Sequence, residues 1–347
     1  MKILLIGGPK FLGRHLTAAA LAAGHSVTHF NRGNYIAADL SEIETINGDR
    51  YGDLKKLNGR KWDAVIDTCG YLPENVKALA KALAGSVDRY VFISSISAYS
   101  DFSKICFDES APPAVLTKEQ QARAGAVDRS GEITAFTLGD LYGPLKAECE
   151  RVVEDTMPGR TIIIRPGLIV GAFDTTDRFP YWVMRVAGGG EVLAPGEPQR
   201  FIQLIDARDL SAFLIELIEH GETGLYNATG KPFDLTMENM LSEIKEVTGS
   251  DASFIWADEE FLLNEKVQPW SEMPFYLPES SRDSQGFLSA NVDKAIEKGL
   301  KFRPLKETIS DTLKWAGEHL AGRTLKAGIA PEREAELIGK LRSRAAS

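Results

Sequence analysis

The stretch Lys2-Ile3-Leu4-Leu5-Ile6-Gly7-Gly8-Pro9-Lys10-Phe11-Leu12-Gly13 decides the fold. Residues 2–6 form a continuous apolar run after one Lys, the pattern of a strand buried on both faces in a parallel sheet. Gly7 and Gly8 end the run. Phe11, Leu12, Leu16, Ala19, Ala20 and Ala23 then recur at helical spacing, and Gly24 supplies a stop. Glycines between a buried strand and a helix let the backbone turn tightly and approach a pyrophosphate resting on the N–H groups at the helix start. Gly7, Gly8 and Gly13 fit the G-x-G-x-x-G loop imperfectly, because Lys10 stands where many such loops have another glycine.

The same alternation continues along the chain. Strands are expected at Ser26–Phe30, Ile43–Ile46, Asp63–Asp67, Tyr90–Ser94 and Thr161–Arg165, with helices through Ala78–Ala84 and Lys146–Glu154. Strands alternating with helices at this spacing predict a doubly wound α/β fold on a mostly parallel sheet. After about Gly167 the pattern changes to segments rich in Gly, Pro and aromatics, with further helices at 236–248, 305–320 and 331–343. Residues 1–170 read as a dinucleotide-binding core. Residues 171–347 read as a smaller, interleaved substrate-binding portion, in which about 200–230 returns to the core.

Composition excludes several classes. The 347 residues are 44% apolar and 26% charged, a globular profile. A chain this long buries about three quarters of its unfolded surface and needs no disulfide or metal to fold. The net charge of −9 counts against nucleic-acid and anionic-membrane partners, which call for a basic face. Cys69, Cys106 and Cys149 are scattered, as are the five histidines, so no metal site is expected. The short opening run predicts neither a signal peptide nor a membrane helix, and a cytoplasmic location is the expectation.

The end of the second strand, Phe30-Asn31-Arg32-Gly33, would reach a cofactor ribose. A carboxylate there suits the ribose hydroxyls of NAD; here Asn31 and Arg32, with Lys10 nearby, suit a 2′-phosphate. NADP is therefore expected, with NAD as the alternative, and a solvated loop arginine is the competing reading of Arg32. Asp49, after the third strand, can accept a hydrogen bond from an adenine amino group. Farther on, strand Tyr90–Ser94 runs into Ser95-Ile96-Ser97-Ala98-Tyr99, and Tyr142 and Lys146 are four apart on one helical face. A free tyrosine has a pKa near ~10. A neighbouring Lys⁺ favours its phenolate and brings it toward the range useful for proton transfer. A serine hydroxyl can hold a substrate oxygen.

These pieces, in this order, resemble the short-chain dehydrogenase/reductase superfamily in its extended, NAD-dependent epimerase/dehydratase-like branch. The matching elements are G-G-P-K-F-L-G at 7–13, G-D-R-Y-G-D at 48–53, V-F-I-S-S-I-S-A-Y at 91–99, Y-G-P-L-K at 142–146 and R-P-G at 165–167, with a weaker match in R-F-I-Q-L-I-D-A-R-D-L at 200–210. The resemblance implies that Ser95, Tyr142 and Lys146 are catalytic. It also implies that Gly7, Gly8, Lys10, Phe11, Leu12 and Gly13 hold NAD(P), joined by Asn31, Arg32, Asp49 and Lys146. Ser95 is chosen over Ser94 and Ser97 because it stands four residues before Tyr99; Ser97 is the fallback. A small-molecule substrate is implied, attacked at a hydroxyl or carbonyl.

Two features depart from the family. Lys10 resembles an atypical subgroup that includes chloroplast stem-loop RNA-binding proteins. The C-terminal third lacks the arginines that grip a nucleotide diphosphate, and Arg200 alone fits one such position. A non-catalytic NAD(P)-binding sensor or RNA-binding protein is the alternative function. By resemblance, a homodimer would pair the helix starting near Lys146, burying Val152 and Val153 between chains. Asp174, Arg178, Tyr181, Trp182 and Arg185 fall where the family builds its substrate pocket. Trp270, Met273, Phe275 and Tyr276 read as a pocket lid. Ordinary packing competes for both sets.

Overall fold

The computed structural model describes residues 1–35, 37–129, 133–281 and 286–345. Six strands come first: β1 (Lys2–Ile6), β2 (Ser26–Asn31), β3 (Glu44–Asn47), β4 (Trp62–Asp67), β5 (Val87–Ile93) and β6 (Thr161–Pro166). Helices α1 (Phe11–Ala22), α2 (Pro73–Leu83), α3 (Lys118–Gly125), α4 (Ala135–Leu138) and α5 (Tyr142–Thr156) lie between them. The chain leaves this body through β7 (Leu168–Val170), α6 (Arg178–Ala187), β8 (Glu191–Pro195), β9 (Phe201–Ile202) and β10 (Leu204–Asp206). It returns with α7 (Ala207–Glu219) and β11 (Gly224–Ala228), and leaves again with β12 (Leu235–Thr236), α8 (Met237–Thr248), β13 (Ser253–Ala257) and α9 (Glu259–Asn264). Helix α10 (Asp293–Glu297) rejoins the first body, and α11 (Leu305–His319) and α12 (Pro331–Ala345) belong to the second.

The first unit comprises Met1–Gly167, Ala207–Thr229 and Ala290–Lys301. Its seven strands pair in the order β11-β6-β5-β4-β1-β2-β3, all parallel. The fold is thus the doubly wound α/β arrangement expected from the strand–helix alternation. Apolar runs that read as strands buried on both faces are so buried: Leu4, Val65 and Phe92 are inaccessible to solvent. The order reverses between β1 and β4, and in open α/β sheets ligands bind at such a switch point, outside the carboxyl ends of the strands.

One expectation is corrected here. Val152 and Val153 are buried within their own chain, in the cluster that includes Tyr90, Phe92 and Met157. The outward side of α5 instead carries Arg151, paired with Glu148 and Asp155. The amphipathic stripe of α5 is satisfied by its own sheet, so those valines offer nothing to a second copy.

The second unit comprises Leu168–Asp206, Gly230–Ser289 and Phe302–Ser347. Strands β7 and β10 pair in parallel, as do β8 and β13, while β9 and β12 are antiparallel. Helices α6, α8 and α11 pack on one another. Helix α8 begins with a side-chain cap, Thr236 Oγ1 accepting from Asn239 N. Met273, Phe275 and Tyr276 lie in the core with Trp182 and Phe179, so the stretch read as a lid is largely core. Arg185 is likewise taken: its Nε donates to Glu334 Oε2 at 2.7 Å, and Glu334 Oε1 accepts from Leu193 N at 2.9 Å. That side chain clamps α12 to β8. Among the described residues no helix is long and apolar enough to cross a membrane.

Candidate active site

The glycine turn stands at the β1/β4 switch point. Gly7 has φ +127°, and a Cβ there would lie 2.3 Å from Thr68 Oγ1, whose hydroxyl bonds the Ile6 carbonyl. Only glycine fits between the two strand ends. Gly13 is held as tightly from the other side, because its Cβ would lie 2.3 Å from the Gly8 carbonyl oxygen. Gly8 differs. A Cβ on it would meet nothing nearer than Lys10 Cγ at 3.8 Å, so space lies open over this backbone. Helix α1 starts at Phe11 with Lys10 as its N-cap, with no side-chain cap and no acid in its first turn. An uncapped N-terminus behind an open glycine fits an anionic diphosphate.

The expected ribose and adenine readers shape their own loops. Asn31 Oδ1 accepts from Gly33 N at 2.8 Å, closing the turn after β2 and leaving Arg32 exposed. Asp49 Oδ1 accepts from Tyr51 N, and Asp49 N donates to Asp53 Oδ2. Arg14, one turn into α1, pairs with Asp39 and ties this rim to the helix.

The expected catalytic trio sits on α5 and at the end of β5. Tyr142 opens α5 half-buried, with its ring centroid 6.3 Å from that of Tyr71. Lys146, one turn on, is 3% exposed. Its Nζ donates to Gly70 O at 2.9 Å, in the turn after β4, and to Ile93 O, the last residue of β5. It lies over the Phe92 ring at 4.4 Å and the Tyr71 ring at 5.4 Å. Burial lowers its pKa, against the opposing influence of Cys149, Asp67 and Glu150. Ser95 is extended, and its Oγ accepts from Ser97 N at 3.1 Å, capping the turn Ile96–Ala98. Among the described residues the Ser95 hydroxyl donates to nothing, so its hydrogen is available to a substrate oxygen. Ser94 points inward to Glu150. Ser97 borders α5, and a Cβ on Gly143 would lie 2.0 Å from its carbonyl oxygen.

The sequence reading missed a buried charged layer beneath the trio. Asp67, at the end of β4, accepts two bonds from Arg50, at 2.8 and 2.9 Å, and one from Tyr90 Oη at 2.8 Å. Burial would raise the Asp67 pKa, but the guanidinium outweighs it and holds the carboxyl below its usual range. Cys69 lies 3.3 Å from the same guanidinium, yet burial dominates and pushes its thiol up. A second buried pair joins Glu150 to Arg165 at 2.9 and 2.6 Å. The sequence holds only positional hints: Asp67 ends an apolar run and Glu150 continues the i, i+4 series of Tyr142 and Lys146, but neither names its partner.

No family model matches the chain. It is 30% identical over 163 residues to a chloroplast stem-loop binding protein of 41 kDa from Arabidopsis thaliana, a match covering 42% of this chain and 43% of that protein. Solved structures match over nearly the full length at low identity. A UDP-glucuronic acid 4-epimerase from Bacillus cereus, in complex with NAD, superposes with TM-score 0.61 at 16% identity, over 92% of this chain and 99% of that one. A UDP-glucose 4-epimerase from Bifidobacterium longum, in complex with NAD+ and UDP, gives 0.63 at 15%, over 93% and 100%. An epimerase from Methanothermobacter thermautotrophicus gives 0.66 at 16%, over 92% and 93%. The likeness is one of fold.

Proposed function

We propose that this chain is an NAD(P)-dependent oxidoreductase or epimerase of the extended short-chain dehydrogenase/reductase type, acting on a hydroxyl or carbonyl group of a small molecule. The observation that carries the reading is the anchoring of Lys146. Its ammonium is tied to the carbonyls of Gly70, in the turn after β4, and of Ile93, the last residue of the neighbouring strand β5. The charge thus stands between the turn after β4 and the serine-ended strand, on the helix that carries Tyr142.

Each residue then has a role. Gly7, Gly8, Phe11, Leu12 and Gly13 seat the diphosphate, and the open space over Gly8 fits it. Asp49 would accept from the adenine amino group, and Asn31, Arg32 and Lys10 would favour a 2′-phosphate, hence NADP over NAD. A bound nicotinamide supplies or accepts the hydride. Tyr142 moves the proton of the reacting hydroxyl, Lys146 stabilises its phenolate, and Ser95 donates its hydrogen to the substrate oxygen. Arg200, in the second unit, is the arginine whose sequence position resembles one that grips a nucleotide diphosphate. Among the described residues its guanidinium makes no hydrogen bond, and it lies 5.5 Å from the centroid of the Tyr276 ring.

The test follows absorbance of NADPH and NADH with the purified protein against UDP-sugars, free sugars, ketones and hydroxysteroids. Tyr142→Phe should bind cofactor normally while turnover falls by about 10²–10⁴. Lys146→Met should lose both affinity and rate. A Tyr142→Phe protein with wild-type turnover would remove the reading. The second reading, RNA binding on the same fold, is favoured by the partial identity to a stem-loop binding protein. It predicts RNA affinity with no turnover on any of these compounds.

A further inference from the structure

Glu150 stands four residues past Lys146 and eight past Tyr142, on the same face of α5, and it is 6% exposed. Its Oε1 accepts from Ser94 Oγ and from Arg165 Nε, and its Oε2 accepts from Arg165 Nη2. Ser94 immediately precedes Ser95. Arg165 rises from β6, and its guanidinium carbon lies 4.1 Å from the centroid of the Tyr99 ring. The Tyr99 hydroxyl donates to Asn227 Oδ1 at 2.7 Å, on β11. One carboxylate therefore ties α5 to the ends of β5 and β6. At the other end of the helix the fit has no slack, because Gly143 already abuts the Ser97 carbonyl.

We infer that Glu150 is a positioning residue: through α5 and the Ser94–Ser95 strand end, it fixes where Tyr142 and Lys146 stand relative to the Ser95 hydroxyl. This rests on the trio proposed above. Stability alone explains the pair poorly. Two desolvated charges cost about as much as their attraction returns, and apolar replacement of such a pair is often neutral. What apolar side chains cannot supply is a directional link to Ser94, and that link is what sets the strand end against the helix.

The experiment needs no substrate. Tyrosine absorbance is titrated with pH in NADPH-loaded protein, and the Tyr142 contribution, one of nine tyrosines, is taken as wild type minus Tyr142→Phe. The groups facing the Lys146 ammonium are Asp67, Arg50, Glu150 and Cys149, with the Tyr71 and Phe92 rings. All but Glu150 stay unchanged in the variants. In wild type Tyr142 should titrate below the ordinary tyrosine value of ~10, and Lys146→Met should return it there. Two variants probe the link: Ser94→Ala, which deletes one hydrogen bond and leaves the ion pair, and the double Glu150→Met/Arg165→Met, which removes both charges together.

The double variant should move the Tyr142 titration upward by roughly half a unit or more, a fraction of the 1–3 units a nearby charge supplies. Its NADPH affinity should fall with it. Ser94→Ala should move the titration in the same direction by less. A merely structural pair would change the melting temperature and leave the titration in place. An unmoved Tyr142 in both variants overturns the inference alone. An unmoved Tyr142 in Lys146→Met overturns the catalytic reading, and the inference with it.

Discussion

Thr17 donates its one hydroxyl hydrogen to the Gly13 carbonyl at 2.7 Å, so the 2.8 Å contact between its oxygen and His29 must run from the ring, with Nε2 carrying a hydrogen. This contact fastens the last glycine of the turn to β2. Burial lowers the His29 pKa below 6.5. The unfolded chain then takes up a proton before the folded one does. Stability contributed here is full above that value and declines as pH falls through it. Urea midpoints should decrease from about pH 7.5 to about pH 5.5, and His29→Gln should flatten that slope; an unchanged slope would place its origin elsewhere. Arg32 is the residue whose role depends most on a ligand. It is exposed, and Asn31 has already closed the turn beneath it. If Arg32 reads a 2′-phosphate, Arg32→Ala should weaken NADPH by about 1–3 kcal/mol and NADH much less. Calorimetry showing equal losses for the two would assign Arg32 to solvent.

Gly143 sets the distance between α5 and the turn Ile96–Ala98. Gly143→Ala would place a Cβ 2.0 Å from a backbone oxygen that has little freedom to yield, since Ser97 N is itself bonded to Ser95 Oγ. The variant should lose about 1–3 kcal/mol by overpacking, and α5 should shift, so activity should fall beyond what the melting temperature explains. A variant of full stability and activity would show the turn to be pliable. The elements that were legible share one property. The strands β1, β4, β5 and β6 are apolar runs buried on both faces, and α1 and α5 carry helical apolar spacing beside them. Helix α3, K-E-Q-Q-A-R-A-G, buries nothing and has no apolar stripe to read; it is started by the Thr117–Gln120 capping box instead. The strand pairs of the second unit include members of two or three residues, too short for any period. At the candidate site, the catalytic roles of Ser95, Tyr142 and Lys146 are a proposal, and only their spacing and order were legible. Arg50, Asp67, Glu150 and Arg165 were not, because an isolated charge in a sequence reads as solvated until its partner across the sheet is known.

Net charge separates the two readings of the whole molecule. At −9, the chain as a whole repels a phosphate backbone, so RNA binding would need a local basic surface. The C-terminal helix is the natural place to look, since α12 carries Arg333, Lys340, Arg342 and Arg344. Each is already matched: Arg333 with Glu272, Lys340 with Glu265 and Glu336, Arg342 with Glu191, and Arg344 with Asp258 and Glu260. These cations bind the helix to its own unit and contribute little positive potential outward. Helix α5 presents Arg151 between Glu148 and Asp155, one cation against two carboxylates. A protein so neutralised should not retain a stem-loop RNA, whether loaded with NADPH or not. Filter binding at about 50 mM salt and micromolar protein should show no complex above that of a carrier protein. Counterion release makes the contrary result equally plain. Affinity that falls steeply with salt, with a slope of about −0.9 per phosphate contacted on a duplex, would require several cations facing the RNA backbone. If Arg32→Ala or Lys10→Ala then reduced that slope, the rim of the glycine turn would be an RNA surface rather than a 2′-phosphate reader, and the enzymatic reading would lose its cofactor preference.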